Sequence, residues 1–248
     1  MIAKSIPSVF TIGNLFLGVL AIILAFHDRA EGAALLVIIA MLLDGVDGRV
    51  ARALNVQSEF GKELDSLSDV ISFGVAPAFI MYQAAFIDVT PALAWIVTAI
   101  FPICGALRLA RFNVMEGVPG YFIGLPIPAA GGVLATLALF DQELHVSLLL
   151  ISTLLLSFLM VSGIKYPNFK KVGFPKKAVW IVPVVVLAAV LLAFQFPTAI
   201  PRVILALLLL YAVWGLKKNV ERLLRLVPRR QRKKRASADE SRRSKHSA

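Results

Sequence analysis

A chain of 248 residues that is 58% hydrophobic, with a mean hydropathy of +0.81, is too apolar for a soluble domain, where about half would be usual, and reads as a polytopic membrane protein. Its formal charge of +11 does not point to nucleic acid as a partner, because half of its 26 Lys and Arg residues follow Leu216 in a terminal tail. The single cysteine, Cys104, lies in an apolar run, which excludes a disulfide framework and a thiolate metal site and leaves a packing role.

Apolar windows of near span length fall at 8–27, 32–53, 62–84, 91–112, 124–140, 145–164, 178–196 and 199–216. They predict an all-α fold of about eight transmembrane helices. The first window is span-length and is followed by His27-Asp28-Arg29 rather than a small-residue cleavage site, so it reads as a retained helix, not a signal peptide. Within it, Thr11 and Asn14 suit either a ligand or a hydrogen bond to a neighbouring helix.

Basic residues cluster at alternate connections: Arg49, Arg52 and Lys62 at the second, Arg108 and Arg111 at the fourth, and Lys165, Lys170, Lys171, Lys176 and Lys177 at the sixth. The positive-inside rule places these connections and both termini in the cytoplasm, with only Arg29 and Arg202 outside.

The second and third windows carry Asp44, Asp47, Asp65 and Asp69 inside apolar sequence. Each acid would cost roughly 2.5–3.5 kcal/mol at a bilayer centre, so something cationic must compensate them. Asp44, Asp47, Gly48 and Arg52 share one helical stripe, as do Gly61, Asp65 and Asp69. In an antiparallel hairpin with ends near Arg52 and Gly61, a rise of ~1.5 Å per residue puts Asp44 and Asp69 about 12 Å deep, and Asp47 and Asp65 about 6–8 Å deep. Four carboxylates facing one cavity suit hard divalent cations such as Mg²⁺ or Mn²⁺. A proton or cation pathway, or pairing with Arg49, Arg52 and Lys62, are the alternatives; three cations do not readily neutralise four acids at these depths.

Further along, Pro77 and Pro128 interrupt apolar helices and are expected to kink them. The fourth span ends in Ala106-Leu107-Arg108-Leu109-Ala110-Arg111-Phe112-Asn113, where both arginines also fit ordinary positive-inside flanking. His27 and His145 fall at outer span ends and His246 in the tail, so no Ser-His-Asp arrangement is available. The stretch from Lys217 to Ala248 is rich in Arg, Lys and Ser and is expected to be disordered beyond its first turns. It fits either an anionic lipid surface or a topology signal alone.

The run D-G-x2-A-R-x8-G-x3-D-x3-D, matched by Asp47 to Asp69 without a gap, resembles the signature of the CDP-alcohol phosphotransferases, with Asp44 as the family's additional acid. The resemblance implies a six-helix core over 1–171, followed by two further spans over 172–216 and the basic tail over 217–248. It implies metal-assisted transfer from CDP-diacylglycerol to a small alcohol, with CMP leaving. Asp44, Asp47, Asp65 and Asp69 would hold a pair of Mg²⁺ or Mn²⁺ ions, with Asp69 also the general base; Gly48, Arg52 and Ser58 would contact the CDP moiety, and Asn14 would lie near the nucleotide. A homodimer in the inner, cytoplasmic membrane is implied, its active site facing the cytoplasm.

Leu64 to Pro77, the Arg108 segment, Gly124-Leu125-Pro126-Ile127-Pro128-Ala129 and Lys165-Tyr166-Pro167-Asn168-Phe169-Lys170 resemble the phosphatidylserine synthase branch, which makes L-serine the expected acceptor. Serine brings a carboxylate, so Arg108 or Arg111, assisted by Asn113, is the expected binder. A sibling enzyme using glycerol 3-phosphate or inositol phosphate, and a cation transporter, are the rival readings.

Overall fold

The computed structural model describes residues 2–54, 58–115, 121–167, 203–215 and 217. Long, predominantly apolar runs give long helices: α1 (Ile2–Phe26), α2 (Ala30–Leu54) and α5 (Pro91–Val114). Between α2 and α5 runs a continuous helical stretch, Glu59–Phe86, whose pitch changes along its length. It is α-helical over Glu59–Asp69 (α3), widens to a π-helix over Val70–Val75, returns to α over Ala76–Met81 (α4), and widens again over Tyr82–Phe86. The shorter apolar helices are α6 (Ile127–Leu137, extended by one 3₁₀ turn to Phe140), α7 (Val146–Val161) and α8 (Val203–Gly215).

Among the described residues, three helices, Ser8–Phe26, Glu59–Phe86 and Pro91–Val114, are long and apolar enough to cross a membrane. Every expected window falls on a helix except 178–196, which lies outside the described residues, as does nearly all of the basic tail. Lipid-facing character shows directly on α1, where Val9, Ile12, Phe16, Val19, Ile23 and Phe26 are exposed at alternating spacings of three and four. The opposite face packs along α2 through Ala21, Ala25, Ala33, Val37 and Ala40. Alanine here lets the two backbones approach closely, as packing in lipid requires.

Three buried hydroxyls of α6 and α7 return their hydrogen bonds to their own helix. Thr153 donates to the Leu149 carbonyl at 2.8 Å, Ser157 to Thr153 at 2.8 Å, and Thr136 to Gly132 at 2.7 Å. No apolar solvent could satisfy them otherwise.

Two features depart from a purely helical reading. Strands β1 (Tyr121–Ile123) and β2 (Lys165–Pro167) pair antiparallel, with Phe122 opposite Tyr166, and tie the connection after α5 to the end of α7. Three-residue strands show no alternation in sequence, so nothing announced them. Pro128, expected to kink a helix, sits in the first turn of α6, where its missing N–H costs nothing. Pro77 lies in the first turn of α4, directly after a π segment, and Pro102 lies inside α5.

Candidate active site

Ser58 starts the acid-bearing helix: its Oγ accepts from the Gly61 N–H at 3.1 Å, satisfying one of the orphan donors of α3. One turn on, Asp65 and Asp69 project from one face of α3 at i and i+4. Asp44 projects from α2, and ligand oxygens of Asp44, Asp65 and Asp69 all lie within 4.8 Å of one another. Asp69 is 7% exposed, while Asp44 and Asp65 are half-buried.

The second and third spans pack on each other through the π segment and α4, which contact α2, while α1 packs along α2 and also against α3 and the π segment beyond it. Two serines fasten that second contact. Ser68 donates to the Thr11 carbonyl at 3.1 Å and Ser72 to the Asn14 carbonyl at 2.9 Å, holding Asp69 between them in register with α1. Gly18 permits this approach, since a Cβ there would come within 2.7 Å of the Ser72 Cα. The acids therefore line a gap between α2 and α3 that α1 spans.

Three carboxylates from two helices supply only hard oxygen donors, and they stand at the spacing of a shared ion's ligands, so the residues fit a divalent cation. Without a cation, three acids this close would repel one another. The side chains of Asp47 and Arg52 lie outside the described residues; Gly48, on α2, is half-buried.

Asn14 is fully buried, and neither atom of its amide has a hydrogen-bond partner. A buried amide with no partner costs free energy in the ligand-free protein and is satisfied when a polar ligand arrives.

The three residues expected at a serine pocket separate into different roles. Arg108 is 6% exposed, its Nε has no hydrogen-bond partner, and the charges of Asp69 and Asp44 act on it. Arg111 is engaged differently. Its Nη1 donates to the Val161 carbonyl at 2.7 Å, and its Nη2 reaches the carbonyls of Ile123 and Ser162 at 3.2 Å and of Met160 at 3.4 Å. The guanidinium thus caps the carbonyl end of α7 and joins it to β1, so both terminal nitrogens are engaged in holding the fold. Asn113 donates to the Glu63 carboxylate at 3.3 Å and to Ser66 Oγ at 3.0 Å, bracing α5 against α3 below the acids.

The sequence offered no sign of the Ser68 and Ser72 anchors or of the Arg111 knot. Serine spacing of four beside an acid was the only available signal, and it is common in helices.

Comparison with known proteins adds three findings. A family model described as CDP-alcohol phosphatidyltransferase matches residues 4–161. A CDP-diacylglycerol–serine O-phosphatidyltransferase of Helicobacter pylori is 41% identical over 215 residues, covering 84% of this chain and 89% of the relative. Proteins of the same name from Methanocaldococcus jannaschii and Bacillus subtilis are 39% and 42% identical, over 87% and 67% of this chain and 94% and 92% of their own lengths.

Proposed function

From the chain's membership of the CDP-alcohol phosphatidyltransferase family, to which it belongs, we infer that the gap between α2 and α3 is a transferase site. The enzyme transfers the phosphatidyl group of CDP-diacylglycerol to the hydroxyl of L-serine, giving phosphatidylserine and CMP. Three relatives at about 40% identity whose names specify serine as acceptor support that choice over glycerol 3-phosphate or inositol phosphate. The observation that carries the reading is the convergence of Asp44, Asp65 and Asp69 beside the buried Arg108.

Asp44, Asp65 and Asp69, with Asp47 of the family pattern, would hold one or two Mg²⁺ or Mn²⁺ ions. Such ions, when bound, draw charge from the diphosphate and ease departure of CMP. Asp69, the most buried of the three described acids, takes the proton of the serine hydroxyl. The serine oxygen then forms a bond to the lipid-linked phosphorus as the bond from that phosphorus to the CMP oxygen breaks. Asn14, with its amide open to a polar partner, binds the nucleotide, along with Gly48, Arg52 and Ser58. Arg108 pairs with the serine carboxylate, which would supply its Nε with a hydrogen-bond partner.

The membrane body supports a division of the substrate. Acyl chains remain against the apolar outer faces while the charged head reaches the acids from the end where Arg108 and Arg111 lie. The basic connections favour a cytoplasmic opening, eight spans with both termini inside, and a bacterial-type inner membrane. A homodimer accompanies the family pattern. The test is CMP release by purified protein from CDP-diacylglycerol with a panel of acceptors: release dependent on L-serine supports the reading, and release driven instead by glycerol 3-phosphate or inositol phosphate overturns the acceptor.

A further inference from the structure

Arg108 stands inside a ring of aromatic side chains, most of which lie beyond the acid motif. Its guanidinium carbon sits 5.7 Å from the Phe112 ring centre, and Phe112 packs on Phe122 of β1 at 6.0 Å. Phe122 is the cross-strand partner of Tyr166 in β2, so both side chains leave the same face of the hairpin. Tyr166 in turn packs on Tyr211 of α8, with ring centres 5.8 Å apart. The circuit closes because the Tyr211 phenol is near enough to act electrostatically on Arg108.

Two members of this ring are unsatisfied. Tyr166 is fully buried and its hydroxyl has no hydrogen-bond partner; Arg108 is 6% exposed and its Nε has none either. A buried hydroxyl and a buried guanidinium nitrogen without partners are both costly, and a carboxylate has an oxygen to offer each. Burial, with Tyr211 alongside, pushes the Tyr166 phenol up to about 12, so it remains a donor at any working pH.

We propose that Arg108, Tyr166 and Tyr211 form the pocket for the carboxylate of the acceptor, and that α8, which lies outside the segment matched by the family model, thereby helps to select it. The proposal rests on the transferase reading above. Asp69, which takes the hydroxyl proton, and the Tyr211 phenol both act electrostatically on Arg108. A β-hydroxy amino acid carries a hydroxyl for the first and a carboxylate for the arginine and the phenols. Acceptors without a carboxylate would leave the Tyr166 hydroxyl and Arg108 unpaired and be rejected on that account.

Helix α8 is coupled to the pocket through a glycine. A Cβ at Gly215 would fall 3.2 Å from Tyr166 Cγ and closer still to the ring edge, so a side chain there must displace the Tyr166 ring.

The experiment measures KM for L-serine and for CDP-diacylglycerol, from CMP release, in the parent, Tyr166→Phe and Gly215→Ala proteins, with melting temperature in detergent alongside. Loss of one hydrogen bond to a charged group should raise the serine KM about tenfold in Tyr166→Phe, with the KM for CDP-diacylglycerol changed by less than about twofold. The melting temperature of Tyr166→Phe should not fall, because the substitution removes an unpartnered hydroxyl. Gly215→Ala should raise the serine KM in the same selective way. Unchanged serine KM in Tyr166→Phe, or equal increases for both substrates, would overturn the pocket. Absence of serine-dependent CMP release in the parent would overturn the transferase reading itself, which separates the two failures.

Discussion

Two arginines three residues apart on α5 carry the same charge and meet different fates, and the difference lies in what the rest of the chain brings to each. Arg111 meets the carbonyl end of α7, whose last carbonyls have no intrahelical donors, and donates to four of them and of β1 between 2.7 and 3.4 Å. Arg108 meets the acids and the aromatic ring. Lysine keeps the charge but not the planar fork. Arg111→Lys should therefore lower the melting temperature, in line with about 1.5–3 kcal/mol for lost charge-assisted hydrogen bonds, and leave the serine KM within about twofold. Arg108→Lys should raise the serine KM selectively and change the melting temperature little. Reversal of the two patterns in paired kinetic and thermal assays would show the assignments to be exchanged. The acids themselves were legible from sequence, because their cost in a bilayer and their helical spacing both demanded a shared cation. The arginines were not separable that way, since spacing of three places them on adjoining faces and says nothing of what each face meets.

At the scale of elements, the acid-bearing helix depends on α1 more than on its sequence neighbour α2. Serine hydroxyls at positions 68 and 72 bond to the α1 carbonyls of Thr11 and Asn14, and Gly18 gives the space for it. Gly18→Leu should push α1 from the π segment, costing about 1–3 kcal/mol of stability by overpacking. It should also reduce turnover, because Asp69 moves with the segment. Thermal unfolding in detergent and CMP release together check this; a variant as stable and active as the parent would show that α1 does not hold the site. Helix windows were readable from hydropathy, whereas the Ser58 cap that starts α3 ahead of the 62–84 window was not read there. The π-helix that starts at Val70, directly after Asp69, carried no periodic signature, since a wider turn changes which residues share a face without changing composition. Such turns recur at functional sites, and here one separates the acid stripe from the packing stripe of α4.

Across the whole molecule, the proposed site draws residues from several helices into one gap. Apolar faces such as that of α1 keep the molecule in the bilayer, while acids, Asn14 and Arg108 face inward. The span pattern followed from composition, and the motif indicated the chemistry. What the sequence could not convey was closure: that β1, β2 and α8, spread along the chain from Tyr121 to Tyr211, join one aromatic chain that reaches Arg108 through Phe112. Contacts of that sequence separation leave no local trace.

The central claim is that the Asp44, Asp65 and Asp69 cluster moves a phosphatidyl group onto serine with Asp69 as base. The most direct measurement follows labelled L-serine into lipid with purified protein and CDP-diacylglycerol, comparing the parent, Asp65→Asn and Asp69→Asn, before and after chelation and with Mg²⁺ or Mn²⁺ restored. The account predicts incorporation by the parent that chelation stops and metal restores, and a fall of at least about 100-fold in Asp69→Asn, as for loss of a general base. It predicts a comparable loss in Asp65→Asn, recovered in part by excess metal. Incorporation by Asp69→Asn near the parent rate, or by the chelated parent, would contradict it.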